Sequence, residues 1–318
     1  MSIAAYIKQI GRGKAGARSI SREHAADLMG QILDKSVTDL EIGAFCAAMR
    51  IKGETPEEMA GFLDAAHTRL TPVLASRPIV VLPSYNGARK LPVLTPLLGL
   101  LLAREGQIRG FDVLIHGAQT EDSRVSSLEV LQAYAPLTLS HSQTGYAQTW
   151  QCTEPISGAV LRYAHTQDLH PGLSALLAVR RVVGLRNSAH SLVKLMNPTS
   201  NPQALIVGSY THPEYLQSMR ATFSLVGAHA LLLRGTEGEP VADARRTPQM
   251  DYFKDGACTT VVKAHQGSLV SLPDVPSSTD VSASAAYLRA VLTGDLPVPA
   301  AIASQVACIC AVFFNFES

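Results

Sequence analysis

Cysteine is scarce in this chain and follows no pattern. The five thiols, Cys46, Cys152, Cys258, Cys308 and Cys310, are odd in number and form no CxxC. That argues against a disulfide framework or a zinc site and fits reduced thiols in the cytoplasm. Aromatic residues make up only 6% of the chain, and Tyr6 and Tyr85 are the only obvious stacking candidates near cations. A surface built on base stacking is therefore not expected. Neither sign of charge dominates: 27 Lys plus Arg against 26 Asp plus Glu leave a net charge of +1. A polyanion partner would have to be recognised through clusters rather than through global charge. The start lacks a basic segment followed by a long apolar run, so no secretory signal is read. The run from Leu296 to Phe316 carries no charge and is long enough to cross a bilayer, but Pro297, Pro299, Ser304, Gln305 and Asn315 interrupt it. It reads as a buried terminal helix, with no membrane partner. No P-loop, Gly-x-Ser-x-Gly turn, zinc-deaminase spacing, internal repeat or low-complexity tract occurs. The ten histidines are scattered, and His165 and His170 miss the helical metal spacing of three or four.

What is present suffices for a real core: 47% of 318 residues are hydrophobic. Residues 1 to about 70 read as helices. Ser21 would cap a helix over 22–33, and Thr38 to Glu41 forms a capping box ahead of Ile42, Phe45, Cys46 and Met49. Thr55-Pro56-Glu57-Glu58 is a second start signal, and Gly53 separates the two helices. The pattern then changes. Short apolar runs at 79–82, 113–117, 204–208 and 230–233 read as strands, each ending in or followed by turn residues. Helices are expected over 97–104 (ended by Gly106), 126–134, 171–194 and 213–226; no element is assigned over 140–160. Alternation of strand and helix implies an α/β fold with a mainly parallel sheet. The expected division is a small discontinuous helical domain, residues 1–72 and 166–200, and a large α/β domain, residues 73–165 and 201–318.

One strand-end loop stands out. Leu82-Pro83-Ser84-Tyr85-Asn86-Gly87-Ala88-Arg89-Lys90 joins the first strand to an apolar helix, the place where α/β proteins usually bind anions. A backbone cradle for phosphate normally needs several glycines. This loop has one glycine and then two cations, so it is in the right place for a phosphate but is not built to wrap one.

Cations cluster where acids are missing. Lys8, Arg12, Lys14 and Arg18 fall in an acid-free stretch interleaved with Gly11, Gly13 and Gly16, which reads as loop-like. Arg50 and Lys52 end a helix, and Arg89 and Lys90 follow the strand-end loop. Arg180, Arg181, Arg186 and Lys194 share another acid-free stretch, while acids gather at Glu121-Asp122 and from Glu237 to Asp255. Taken singly, such cations cap helices and keep a surface soluble. Taken together, they suit a polyanion bound through its backbone with little sequence preference.

The order of these segments resembles anthranilate phosphoribosyltransferase from about residue 5 to 307, and most of all the YbiB-like branch of that superfamily. The marks are Ile10-Gly11-Arg12-Gly13-Lys14, Arg50-Ile51-Lys52-Gly53-Glu54, Pro83 to Lys90, Arg186-Asn187-Ser188-Ala189-His190 and His212-Pro213-Glu214-Tyr215. The resemblance implies a nucleoside phosphorylase or phosphoribosyltransferase-like fold and a homodimer formed through the helical domain. In the enzymes, phosphoribosyl pyrophosphate binds the first strand-end loop and an adjacent Asp-Glu pair holds magnesium. Here the loop reads Ser84-Tyr85-Asn86-Gly87, and the second place reads Thr236-Glu237-Gly238-Glu239 without the pair, leaving only Glu237 and Glu239 to offer a metal an oxygen. His116-Gly117 matches the family's histidine-glycine turn, and Arg186 matches the arginine that grips the aromatic carboxylate. The YbiB-like branch implies nucleic-acid binding in a basic groove across the dimer, with no demonstrated transferase chemistry and no cofactor. The expected contacts are Lys8, Arg12, Lys14, Arg18, Arg50, Lys52, Arg89, Lys90, Arg181, Arg186 and Lys194. The alternative is a Mg²⁺-dependent phosphoribosyl transfer to an aromatic amine, with a pocket of Ser84, Tyr85, Asn86, Gly87, His116, Gly117, Arg186, Asn187 and His190. The end of the chain, Cys308 to Asn315, departs from the Gly- and Ala-rich amphipathic helix expected of the branch.

Overall fold

The computed structural model describes residues 2–121, 123–265, 273–277 and 279–314, apart from the side chains of Lys14 and Phe314. The chain opens with helices α1 (Ala4–Ile10), α2 (Gly13–Gly16), α3 (Arg22–Leu33), α4 (Asp39–Lys52) and α5 (Pro56–His67). Their ends are set by local chemistry. Ser21 caps α3, and both α4 and α5 open with complete capping boxes, Thr38 with Glu41 and Thr55 with Glu58. Gly53, at φ 80°, ends α4.

The α/β part follows as β1 (Ile79–Ser84), α6 (Thr95–Arg109), β2 (Asp112–Gly117), α7 (Ser127–Tyr134), β3 (Leu137–Leu139), β4 (Trp150–Thr153) and β5 (Val160–His165). The chain continues through α8 (Thr166–Leu169), α9 (Pro171–Val183) and α10 (Ala189–Leu192). It then runs through β6 (Leu205–Tyr210), α11 (Pro213–Leu225), β7 (Ala230–Arg234), β8 (Met250–Lys254), β9 (Ala257–Val262), α12 (Val281–Thr293) and α13 (Ala300–Phe314).

The strands form one sheet in the order β3-β4-β5-β2-β1-β6-β7-β8-β9. The centre, β5-β2-β1-β6-β7, is parallel and the two edges are antiparallel. β1 is buried at every position because both faces of the sheet are covered. Val80 and Leu82 face a core shared with α6, α7, α12 and α13, whereas Ile79 and Val81 face one shared with α3, α4, α5, α9 and α11. The helical part thus packs on one face of the sheet. β1 lies between β2 and β6, so the direction of winding changes there, and the carboxyl ends of the strands at such a switch point are where α/β folds usually bind ligands.

Several boundaries differ from expectation for physical reasons. Gly106 lies inside α6, not at its end: a Cβ there would sit 2.3 Å from the Phe111 carbonyl oxygen, so glycine lets the following chain fold back. The helix stops at Gly110, in the left-handed region at φ 89°. The stretch 171–194 is two helices, because Gly184 (φ 74°) terminates α9. The first eighteen residues are largely helical rather than loop-like. The β8–β9 hairpin lies in an acid-rich segment that shows no strand pattern, and β4 lies in the unassigned stretch. The terminal run forms α13; among the described residues no helix is long and apolar enough to cross a membrane.

Candidate anion site in the interdomain cleft

The β1 end loop is closed by the chain itself. Glu239, 2% exposed, accepts the backbone N–H groups of Asn86 (2.7 Å) and Gly87 (2.9 Å) on Oε1. Its Oε2 accepts the hydroxyls of Ser84 (2.5 Å) and Thr95 (2.9 Å). Two residues earlier, the Glu237 carboxylate accepts the amides of Arg89 (2.8 Å), Lys90 (3.1 Å) and Leu91 (3.4 Å). The backbone makes this possible. Gly87 has φ +64°, and a Cβ there would lie 2.5 Å from the Val125 carbonyl oxygen. Glu237 itself takes a left-handed φ of 52°, steadied by Asn86 Nδ2, which donates to its carbonyl at 2.7 Å. The N–H groups that would cradle a phosphate at a strand end are therefore spent on two internal carboxylates. The free cavity beside the loop is about 10 Å³, room for no more than a water.

The same geometry answers the question of magnesium. Mg²⁺ needs carboxylate oxygens with free lone pairs at octahedral reach. Those of Glu239 accept four hydrogen bonds, and those of Glu237 face the amides of the loop. Among the described residues no group of three or more His, Cys, Asp or Glu side chains is placed to hold a metal ion. The residues present do not fit the family's ion.

Beside the loop, cations converge. Arg124, on the segment after β2, holds Glu121 Oε2 at 3.0 Å and donates from Nη1 to the Asn86 carbonyl at 3.2 Å. Arg180, in the last turn of α9, pairs with the same carboxylate, and Arg186 Nη2 approaches it at 3.8 Å. Burial lowers the Arg186 pKa, and the neighbouring Arg180 and Arg124 charges lower it further. Lys194 donates from Nζ to the Gly238 carbonyl at 2.7 Å. Burial brings it down to about 8, with Glu239 opposing and Arg186 adding to the shift. His190 is driven to about 3 by burial first and then by Arg186 and Arg180, so it is neutral at ordinary pH. Arg50 reaches across from α4 to the Tyr215 hydroxyl on α11 at 3.3 Å.

The expected contacts fare unevenly. Arg186 and Lys194 are brought together in the cleft, but Lys194 is committed to an internal carbonyl. Lys52 is withdrawn altogether: its side chain is 7% exposed and paired with buried Glu58 at 2.6 Å. Arg89 and Lys90 are exposed above Glu237. Lys8 on α1, Arg12 between α1 and α2, and Arg18 after α2 are exposed, as are Arg50 near the end of α4 and Arg181 near the end of α9, while the Lys14 side chain lies outside the described residues. Tyr85 is not a stacking surface. It is buried, and its hydroxyl meets His116 Nδ1 (2.8 Å) and the Thr166 hydroxyl (2.8 Å). His116 is fully enclosed and pushed to about 3 by burial, which makes it a core histidine. A Cβ on Gly117 would fall 2.2 Å from the Ser84 carbonyl, so glycine there serves the β1–β2 register. Asn187 is tied to the Leu176 carbonyl and the Ala189 amide, and the Ser188 hydroxyl donates to Glu54 at 2.5 Å.

Two cleft residues escape a reading of the sequence, Arg124 and Glu121. Along the chain Glu121 falls among acids lying away from the cations, yet in the fold it sits at their centre. Its three-residue spacing from Arg124 is the available signal.

A helical bundle packed on one face of a mainly parallel α/β sheet defines the phosphoribosyltransferase-like class of the glycosyltransferase family 3 fold. A model of the "Glycosyl transferase family, helical bundle domain" matches residues 4–69. Anthranilate phosphoribosyltransferase from Thermus thermophilus superposes with a TM-score of 0.70 at 22% identity, over 97% of this chain and 88% of that one. The Saccharomyces cerevisiae enzyme in complex with PRPP and Mg gives a TM-score of 0.68 at 12% identity, over 98% and 89%. In sequence, the Rhodococcus jostii (strain RHA1) anthranilate phosphoribosyltransferase is 26% identical over 93% of this chain and 79% of its own length. The "Uncharacterized protein YbiB" of Escherichia coli (strain K12) is 35% identical over 311 residues, 97% of this chain and 93% of its own. The chain belongs to the YbiB-like branch of the anthranilate phosphoribosyltransferase superfamily.

Proposed function

We propose that this chain uses the phosphoribosyltransferase scaffold to hold nucleic-acid phosphates along its basic cleft, without transferring a phosphoribosyl group. One observation carries the reading: the Glu239 carboxylate occupies the loop donors that a diphosphate would need. Binding would be led by Arg124, Arg180 and Arg186, with Arg89 and Lys90 at the exposed edge. Guanidinium forks suit phosphate oxygens and carry no sequence information by themselves. The support for this reading is the filled loop and the local charge. We further propose a homodimer, since α4 exposes Leu40 (83%) and Ile51 (63%) on the helical part, and a cytoplasmic location, on the ground of the free, unpatterned thiols.

A second reading, Mg²⁺-dependent phosphoribosyl transfer to an aromatic amine, is favoured by the relatives themselves. Those with a named activity are anthranilate phosphoribosyltransferases, and one solved neighbour holds PRPP and Mg. Arg186 would then take the carboxylate of the acceptor. This reading requires Glu239 to vacate the loop.

Fluorescence anisotropy with random single- and double-stranded 30-mers separates the two. Binding at low salt is expected for both forms. The logarithm of affinity should fall linearly with that of salt, with a slope near one per phosphate contacted. No detectable binding at low salt removes the first reading, and pyrophosphate release from PRPP in the presence of anthranilate and Mg²⁺ establishes the second.

A further inference from the structure

We infer that Arg124 and Arg180, with Arg186 at the rim, form a discrete site for one phosphate group, in which the Glu121 carboxylate is a resident counter-anion that the ligand displaces. The inference rests partly on the reading above, because it names where one backbone phosphate docks, but the site is argued from its own geometry.

Three guanidinium groups face one carboxylate: Arg124 Nε at 3.0 Å, Arg180 in direct contact and Arg186 Nη2 at 3.8 Å. Three positive charges against one negative leave a surplus among these four side chains, and Arg180 and Arg124 each depress the Arg186 pKa. Arg180 Nη1 is also buried without a hydrogen-bond partner among the described residues. A buried guanidinium N–H left unmade is costly, and a carboxylate has too few oxygens to serve three forks. A tetrahedral phosphate brings more acceptor oxygens to the same place and suits bidentate Arg contacts.

The two carboxylates of the cleft differ in how they are held. Glu239 accepts two backbone amides and two buried hydroxyls, which fix it in place. The Glu121 carboxylate is held by arginine side chains, on the irregular segment between β2 and α7, and remains partly exposed. The four side chains are 12–34% exposed, so these pairs are largely buried, and an anion that takes the place of Glu121 must return at least the acceptor oxygens it removes. A rotation of the Glu121 side chain toward solvent would leave the forks free without disturbing the loop around Gly87. Ligand entry exchanges one anion for another, so no bond is made or broken.

The test is calorimetric titration of inorganic phosphate at low ionic strength into the wild-type chain, Glu121→Gln and Glu121→Gln/Arg180→Gln, with thermal melts confirming that each is folded. Glu121→Gln is expected to bind phosphate at least fivefold more tightly than wild type, and adding Arg180→Gln should abolish the gain. Glu121→Ala should behave as Glu121→Gln does. Unchanged or weaker phosphate binding in both Glu121 variants overturns the inference, as does a gain that survives Arg180→Gln. The 30-mer is titrated alongside. Tighter phosphate binding in Glu121→Gln with no oligonucleotide binding by any variant upholds the phosphate site and rejects the nucleic-acid reading.

Discussion

Glu239 decides more than any other side chain here. A carboxylate with four donors on its two oxygens is a structural anion, and its removal exposes what it covers. Ser84 can still pair with the Ser127 hydroxyl, so the main loss in Glu239→Ala is the acceptor for two buried amides. At ~1–3 kcal/mol per unmet buried group, Glu239→Ala should cost about 2–6 kcal/mol in urea denaturation. A loss below about 1 kcal/mol would mean that the loop is not held this way. The sequence displays Glu237 and Glu239, but only as carboxylates a metal could use. That they reach back to a loop some 150 residues earlier is a long-range fact that local pattern cannot carry.

Buried neutral histidines set the acid limit at the same scale. His116 and His190 both fall to about 3 in the fold, chiefly by burial. The unfolded chain therefore binds protons first as pH drops below the ordinary histidine value of ~6.5. Their contribution to stability is complete above that value and is lost progressively as pH falls toward 3. Urea midpoints should decline as the pH is stepped from neutral down to roughly 4.5, and His190→Asn should flatten part of the slope. An unchanged slope in that variant would show that His190 is already solvated.

At the scale of elements, caps are legible and packing exceptions are not. Ser21, Thr38, Thr55, Gly53 and the short apolar runs announce their helices and central strands because each signal is local. Gly106 misleads because a glycine there reads as a terminator, whereas the structure uses its missing Cβ for the close approach of Phe111. Propensity alone makes Gly→Ala inside a helix favourable by ~1 kcal/mol. Gly106→Ala should instead destabilise, by about 2 kcal/mol or more, because the clash is with backbone. A stabilised variant in thermal melts would remove the packing argument. The β8–β9 hairpin is illegible for the opposite reason: β9 lies at a sheet edge and exposes much of its length, so it carries little hydrophobic signal.

Over the whole molecule, the α/β class and the mainly parallel sheet can be read from the alternation of elements, and the family from its motifs. The site can be read only in part. Arg186 and the strand-end loop stand out in the sequence, but Lys52 and Tyr85 read as surface groups when their partners bury them. Sequence shows that charges cluster along the chain; only the fold shows that Arg124, Arg180 and Arg186 meet, and that they meet on Glu121.

The central claim is that the donors of the β1 end loop are filled from within by Glu237 and Glu239. Isothermal titration of the wild-type chain with phosphoribosyl pyrophosphate and Mg²⁺ tests it most directly. The account predicts no saturable heat up to millimolar ligand; micromolar binding that requires Mg²⁺ would contradict it.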